Sequence, residues 1–92
     1  MTRKISMTKQ ALKAVESLPP KQFKQVLSAV LELAANPTPP DSEHLHGAKN
    51  GERRRDVGEY RMVYTYNEET LDCLVIGKRN DDAVYEIWKR KT

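Results

Sequence analysis

The chain has 92 residues, of which 38% are hydrophobic and 32% are charged, and its net charge is only +3. This length suits one domain, residues 1–92, with a single small core, and the low net charge is weak support for nucleic-acid binding. The lone cysteine, Cys73, excludes an internal disulfide and a cysteine-based zinc site. No apolar run approaches the ~20 residues of a membrane span, and no signal peptide is evident, so we expect a cytoplasmic protein without a membrane partner.

The first part of the sequence predicts a weak strand over residues 2–7 and then two helices. Thr8 is a plausible N-cap of the first helix, Pro19 ends that helix, and Pro20 suits the first turn of the next one. Apolar residues recur at helical spacing in both helices. They are Ala11, Leu12, Val15 and Leu18 in the first helix, and Phe23, Val26, Leu27, Val30, Leu31 and Ala34 in the second. We interpret the pair as an antiparallel hairpin whose apolar stripes form core.

The second part of the sequence predicts a loop, three strands and a last helix. Residues 36–51 contain three prolines and read as a loop that Leu45 holds down. Two strands joined by a tight turn at Gly58 and Glu59 follow, and the nearly all-apolar residues 71–77 predict a central strand. Asn80 or Asp81 can cap a short helix on which three apolar side chains share a face. Those side chains are Val84, Ile87 and Trp88.

The predicted order β-α-α-β-β-β-α defines the fold class as α+β. We expect a small, curved, mostly antiparallel sheet with the N-terminal helical hairpin on one face. The other face is expected to stay partly open.

Three consecutive arginines, Arg53, Arg54 and Arg55, enter the first strand of the predicted β-hairpin. A strand sends successive side chains to opposite faces, so each face of the sheet receives at least one guanidinium. One interpretation is a solvated surface on which Glu52, Asp56 and Glu59 are ion-pair partners. The other is a surface that binds an anion.

Three further residues lie at the ends of the predicted elements and favour the interpretation that this surface binds an anion. Arg61 opens the second strand of the hairpin, Arg79 lies just beyond the central strand, and Tyr85 follows six residues later. Guanidinium groups bind phosphate bidentately and stabilise its transition-state charge, and neighbouring cations favour the phenolate form of a tyrosine. In RNA the 2′-hydroxyl is a built-in nucleophile, so this chemistry requires no metal or cofactor. Taken singly, Arg61 is also explained as an edge ion pair and Tyr85 as a half-buried aromatic.

Three segments of the sequence resemble the RelE/ParE toxin superfamily, on its RelE side. They are LHG at Leu45–Gly47, RRDVGEYRMVY at Arg54–Tyr64, and IGKRNDDAVYEIWKR at Ile76–Arg90. The resemblance covers nearly the whole chain. It implies a RelE-like toxin of a type II toxin–antitoxin system that cuts messenger RNA in the ribosomal decoding site by metal-independent 2′-hydroxyl attack. The implied partners are a cognate antitoxin and the ribosome with its bound messenger RNA, without any small-molecule cofactor.

The resemblance also assigns roles to individual residues. Arg61 matches the phosphate-binding arginine, Arg79 the arginine that stabilises the transition state, and Tyr85 the tyrosine of proton abstraction or base stacking. Arg54 matches the basic residue on the preceding strand, and we further predict that Arg53, Arg54, Arg55 and Lys78 bind RNA. The sequence departs from the family pattern at Asp56, where many relatives have a basic residue, and at Arg53 and Arg55, where apolar residues are usual.

Two other functions remain open at this point. A ParE-like toxin would inhibit DNA gyrase by binding alone, and a catalytically inactive relative would serve only in assembly with its antitoxin. His44 and His46 are weaker candidates for a general base, and with Asp41 and Glu43 for a metal site, because they lie in the predicted loop. Cys73 is expected to be an inert core thiol.

Overall fold

A computed structural model describes residues 2–80 and 83–91, except for the side chains of Ala83 and Lys91. It contains three helices and five strands. In chain order they are β1 (Lys4–Met7), α1 (Lys9–Glu16), α2 (Pro20–Ala35), β2 (Ser42–His44), β3 (Arg53–Val57), β4 (Tyr60–Tyr66), β5 (Thr70–Lys78) and α3 (Ala83–Lys91). The strands form one sheet in the order β1-β5-β4-β3-β2, in which only the β1–β5 pair is parallel. The predicted α+β class and mostly antiparallel sheet are confirmed. Within this part of the chain, no helix is both long and apolar enough to cross a membrane.

The predicted start of α1 and the Pro-Pro corner are both present. The Thr8 hydroxyl oxygen accepts a hydrogen bond from the Ala11 amide at 3.2 Å and donates one to the Leu74 carbonyl at 2.6 Å. The N-cap therefore also attaches α1 to β5. Pro20 occupies the first turn of α2, where its missing amide hydrogen leaves no helical bond unmade. Asp81, the alternative predicted cap of α3, lies outside the described residues.

The helical hairpin covers one face of the sheet and forms the larger core. The sheet contributes five buried side chains to it, which are Met62, Tyr64, Leu71, Cys73 and Ile76. Along α2, Val26, Val30 and Ala34 are buried as predicted, but Phe23, Leu27 and Leu31 remain 36%, 37% and 53% exposed. The prediction that the whole stripe is core was wrong for these three residues. The stripe is wider than the strip of helix surface that the sheet can cover.

The second face of the sheet carries a smaller core under α3. Val84 and Trp88 of α3 pack there against Val63 and Val75 of the sheet. Leu45, from the loop between β2 and β3, completes this core. Helix α3 lies so close to β5 that a Cβ atom at Gly77 would be 2.8 Å from a methyl carbon of Val84. Because α3 covers its middle, this face is less open than predicted.

The segment predicted to be only a loop contains the edge strand β2. Ser42, Glu43 and His44 pair with Arg55, Arg54 and Arg53 of β3. The three residues show no alternation of apolar and polar side chains, so no periodic pattern predicts a strand there. They become extended because β3 offers them an unpaired edge of hydrogen-bonding groups.

Candidate anion-binding site

The three consecutive arginines are divided between the two faces of the sheet by the alternation of β3. Arg53 donates from Nη2 to the Ser42 hydroxyl at 2.9 Å and to the Ser42 carbonyl at 3.2 Å. Arg55 donates from Nε to Asp41 at 3.2 Å and from Nη1 to the Ala29 carbonyl of α2 at 3.4 Å. These two arginines therefore connect β3 to β2 and to α2. The structure does not bring them together with the other predicted site residues.

Arg54 points to the α3 side and lies in a cleft with Tyr85. The cleft has a volume of about 530 Å³, and residues of β2, the following loop, β3 and α3 line it. They are Glu43, His44, His46, Arg54, Tyr85, Glu86, Trp88 and Lys89. Arg54 also forms an ion pair of 2.7 Å with Glu43, which faces it across the β2–β3 ladder. The cleft thus contains one predicted RNA-binding arginine and the predicted catalytic tyrosine.

Arg61 makes the closest contacts of the site, with Asp56 and Tyr85. Its Nε and Nη2 donate to the two carboxylate oxygens of Asp56 at 2.6 and 3.1 Å, and its Nη1 donates to the Tyr85 hydroxyl at 2.7 Å. Its guanidinium carbon is also 5.4 Å from the centroid of the Tyr85 ring. The tight turn sets this geometry, because the positive φ of 59° at Gly58 suits the first central position of a type II′ hairpin turn. Asp56 is thereby placed directly opposite Arg61.

Arg61 and Asp56 each stabilise the charged form of the other. The hydrogen bonds from Arg61 hold the pKa of Asp56 below its ordinary value, and the charges of Arg61, Arg54 and Arg79 act in the same direction against partial burial. The hydrogen bond to Asp56 raises the pKa of Arg61 in turn. Asp56 is therefore an ionised carboxylate among three of the arginines that the sequence singled out. The sequence had suggested Arg53, Arg54 and Arg55 as the ion-pair partners of Asp56, but its hydrogen-bonded partner is Arg61.

Arg79 and Lys78 lie at the end of β5, next to the tight turn. The Arg79 amide donates to the Glu59 carbonyl at 2.9 Å, which holds the strand end against the turn. The side chains of Arg79 and Lys78 are exposed and line a small cleft of about 180 Å³ with Glu59 and Asn80. The structure therefore groups Arg54, Arg61 and Tyr85 most closely, with Arg79 and Lys78 on the adjoining strand end.

His44 and His46 were given little weight from the sequence, yet both line the cleft that contains Arg54 and Tyr85. The pairing of β2 with β3 brings them there. A prediction of β2 from the sequence would have placed the two histidines beside Arg54. Among the described residues, no group of three or more histidine, cysteine, aspartate or glutamate side chains could hold a metal ion.

Solved structures of RelE toxins have the same fold as this chain. RelE of the archaeal RelE–RelB complex from Pyrococcus horikoshii OT3 is 28% identical, with a TM-score of 0.75 over 87% of this chain and 98% of that one. A mutant of E. coli toxin RelE in the free state is 19% identical, with a TM-score of 0.77 over 99% of this chain and 98% of that one. The toxin–antitoxin complex RelBE2 from Mycobacterium tuberculosis gives 21% identity and a TM-score of 0.73, over 86% of this chain and 100% of that one. No curated protein matches the sequence.

The sequence model of one protein family matches residues 5–83, and it is described as the ParE toxin of the type II toxin–antitoxin system parDE. The match spans most of the chain, so the chain belongs to this family, within the RelE/ParE superfamily. It is a toxin of a type II toxin–antitoxin system with a RelE-like fold.

Proposed function

We propose that this toxin is an endoribonuclease that cleaves messenger RNA on the ribosome without a metal ion. The observation that carries the proposal is the hydrogen-bonded group of Arg61, Asp56 and Tyr85. A guanidinium that holds a carboxylate at two points can hold two phosphodiester oxygens in the same way. The Tyr85 hydroxyl, 2.7 Å from that guanidinium, is then next to the bound phosphate.

In the proposed reaction, the 2′-oxygen of a ribose attacks the adjacent phosphorus. The new bond closes a 2′,3′-cyclic phosphate, and the bond from phosphorus to the 5′-oxygen breaks. Arg61 and Arg79 stabilise the charge that develops on the phosphate, Arg54 holds a neighbouring part of the backbone, and Tyr85 takes the 2′-hydroxyl proton or stacks on a base. His44 and His46 line the same cleft, and they are our candidates for donating a proton to the departing 5′-oxygen.

We propose a cognate antitoxin and the ribosome as partners. The structures from Pyrococcus horikoshii, Mycobacterium tuberculosis and Methanococcus jannaschii are toxin–antitoxin complexes, which supports an antitoxin for this chain. We include the ribosome because the three arginines of the candidate site, Arg54, Arg61 and Arg79, offer few contacts to a long RNA. A structured platform that presents the messenger would supply the remaining affinity.

The test is primer extension on a translated messenger after brief induction of the wild type, Arg61→Ala and Arg79→Ala. Arg3→Ala is the matched control, because Arg3 donates to the Asn67 carbonyl at the opposite end of the β4–β5 hairpin. Cuts within codons are expected for the wild type and Arg3→Ala, and they should vanish for both site variants and when translation is blocked. Cleavage that persists undiminished in folded Arg61→Ala and Arg79→Ala would refute the mechanism.

Inhibition of DNA gyrase by binding is the second candidate function, because the matching family is described by the ParE toxin. Growth arrest without messenger cuts, accompanied by a DNA-damage response, would favour this function. If induction causes neither growth arrest nor messenger cuts, the protein is an inactive relative that serves in assembly with its antitoxin.

A further inference from the structure

We infer that Asp56 is a built-in competitor for the phosphate site of Arg61, which an RNA phosphate must displace in order to bind. The inference rests on the proposed function, since it concerns how the same arginine meets its substrate. The competitor belongs to this chain, because the carboxylate comes from the strand that the tight turn places opposite Arg61.

The geometry shows which part of Arg61 is occupied. A guanidinium offers five N–H donors, and the edge formed by Nε and Nη2 binds carboxylates and phosphates at two points. Asp56 takes that whole edge, with one oxygen at 2.6 Å and the other at 3.1 Å. Nη1 is directed at the Tyr85 hydroxyl. A phosphate can therefore gain two-point contact with this edge only if the Asp56 carboxylate leaves it.

The surroundings of the pair allow this exchange. The Asp56 side chain is 35% exposed and that of Arg61 is 16% exposed, so solvent and a ligand reach the carboxylate more easily than the guanidinium. When a phosphate displaces the Asp56 carboxylate, the Arg61 guanidinium has a new anionic partner, so no buried charge is left without a partner. Arg54 also has an acidic partner, because its Nη2 donates a single hydrogen bond of 2.7 Å to the Glu43 carboxylate. Two of the proposed phosphate-binding arginines thus have acidic partners within this chain.

The consequence is that binding of RNA at Arg61 is an exchange of anions. The wild type gains a phosphate contact and loses a carboxylate contact, which makes its affinity lower than the number of arginines suggests. Asp56→Asn keeps the size of the side chain and removes its charge, so the two-point edge of Arg61 becomes available to phosphate at little cost.

The experiment titrates a single-stranded, fully 2′-O-methylated RNA oligonucleotide into the full-length toxin, because this RNA cannot undergo 2′-hydroxyl attack. The variants are Asp56→Asn, the double variant Asp56→Asn/Arg61→Ala, and Glu68→Gln. Glu68 is exposed in the turn at the far end of the β4–β5 hairpin, so its replacement makes the same charge change away from the site. Two quantities are measured: the dissociation constant at fixed salt and the NMR resonance of the Arg61 Nε–H group.

Asp56→Asn is expected to bind about tenfold tighter than the wild type, a difference in the range of one charge-assisted hydrogen bond. Glu68→Gln should stay within about twofold, as expected for a distant screened charge. The gain should disappear in the double variant, and RNA should shift the Arg61 Nε–H resonance of the wild type. Binding by Asp56→Asn that is no tighter than that of Glu68→Gln, or an Arg61 resonance that RNA leaves unmoved, would overturn the inference. If Asp56→Asn binds tighter and RNA shifts the Arg61 resonance, but translated messengers are not cut, the nuclease proposal fails and the inference about Asp56 holds.

Discussion

Glu52 and Trp88 join the last helix to the segment that leads into β3. One carboxylate oxygen of Glu52 accepts from the Trp88 indole Nε1 at 3.1 Å, and the other accepts from the Asn50 amide at 2.7 Å. Both side chains are buried, with exposures of 2% and 6%. Tyr85 lies about one turn before Trp88 on α3, so this contact also fixes the tyrosine relative to Arg54. The predicted surface ion pair of Glu52 with the arginines is replaced by this buried contact.

The first prediction is that Trp88→Phe lowers the free energy of unfolding by about 1–3 kcal/mol, because a hydrogen bond to a buried carboxylate is lost. Urea denaturation measures the change, and Tyr66→Phe, at a side chain 39% exposed, is the control. An unchanged unfolding midpoint for Trp88→Phe would show that the contact does not secure α3.

The second prediction concerns the buried hydroxyl of Tyr64, which donates to the Pro37 carbonyl at 2.6 Å. Tyr64→Phe should lower the free energy of unfolding by about 1–2 kcal/mol, because the carbonyl loses its donor in a buried place. The same urea experiment and the same Tyr66→Phe control apply. If both variants unfold at equal urea concentrations, the hydroxyl contributes nothing to holding the segment after α2.

The third prediction tests the role of Tyr85. Tyr85→Phe keeps the ring and removes the hydroxyl that Arg61 contacts, so cleavage in a translation reaction should fall by about 10²-fold or more if the hydroxyl takes the proton. Tyr60→Phe is the control, because Tyr60 packs against the helical-hairpin core instead. Cleavage that survives in Tyr85→Phe but is lost in Tyr85→Ala would assign base stacking in place of proton transfer.

The fourth prediction is a pH dependence of stability. The pKa of Asp56 is lowered in the folded chain, so its ion pair contributes fully above the ordinary value of 3.8 and is lost as pH falls through the lowered value. Because the pair is partly exposed, the contribution should stay below ~1 kcal/mol. The difference in urea unfolding between the wild type and Asp56→Asn should therefore be present at pH 7, shrink as pH falls below 3.8, and disappear only below the lowered pKa of Asp56. If the two proteins still differ in stability at the acid end of the range, the difference does not come from the charge of the Asp56 carboxylate.

The fifth prediction concerns the thiol of Cys73, which is fully buried on β5. Burial, with a smaller effect of Asp72, raises its pKa to about 12. The folded protein should therefore resist a thiol-specific reagent at neutral pH and react only as it unfolds, since the thiolate is the reactive form. Rapid labelling under native conditions would contradict this.

Local signals in the sequence predicted most of the fold. The helices were found because apolar residues recur at helical spacing and because Thr8, Pro19 and Pro20 mark their ends. Strand β2 could not be found in this way, since Ser42, Glu43 and His44 are extended only through their pairing with β3. The exposure of part of the α2 stripe likewise depends on how much surface the sheet offers, which no local pattern contains.

The sequence proposed the members of the candidate site but not how they pair. The resemblance to the RelE/ParE superfamily singled out Arg61, Arg79 and Tyr85, and the structure places Arg61 in contact with Tyr85. Alternation along β3 showed that the three arginines divide between faces, but not which face each takes, because a shift of one residue reverses the assignment. The tight turn fixes that register and sets Asp56 against Arg61.

The parallel pairing of β1 with β5 has a consequence for how the chain folds as it is made. Ile5 aligns with Leu71, so β1 finds its partner only after β2, β3 and β4 have been synthesised. Until then the helical hairpin displays the apolar surface around Val26, Val30 and Leu33 that the sheet later covers. Contacts between such distant segments form slowly and leave a growing chain open to wrong association. The arginines of β3 and β4 emerge in the same interval, so the anion-binding site acquires its final shape only when β5 and α3 have also been translated.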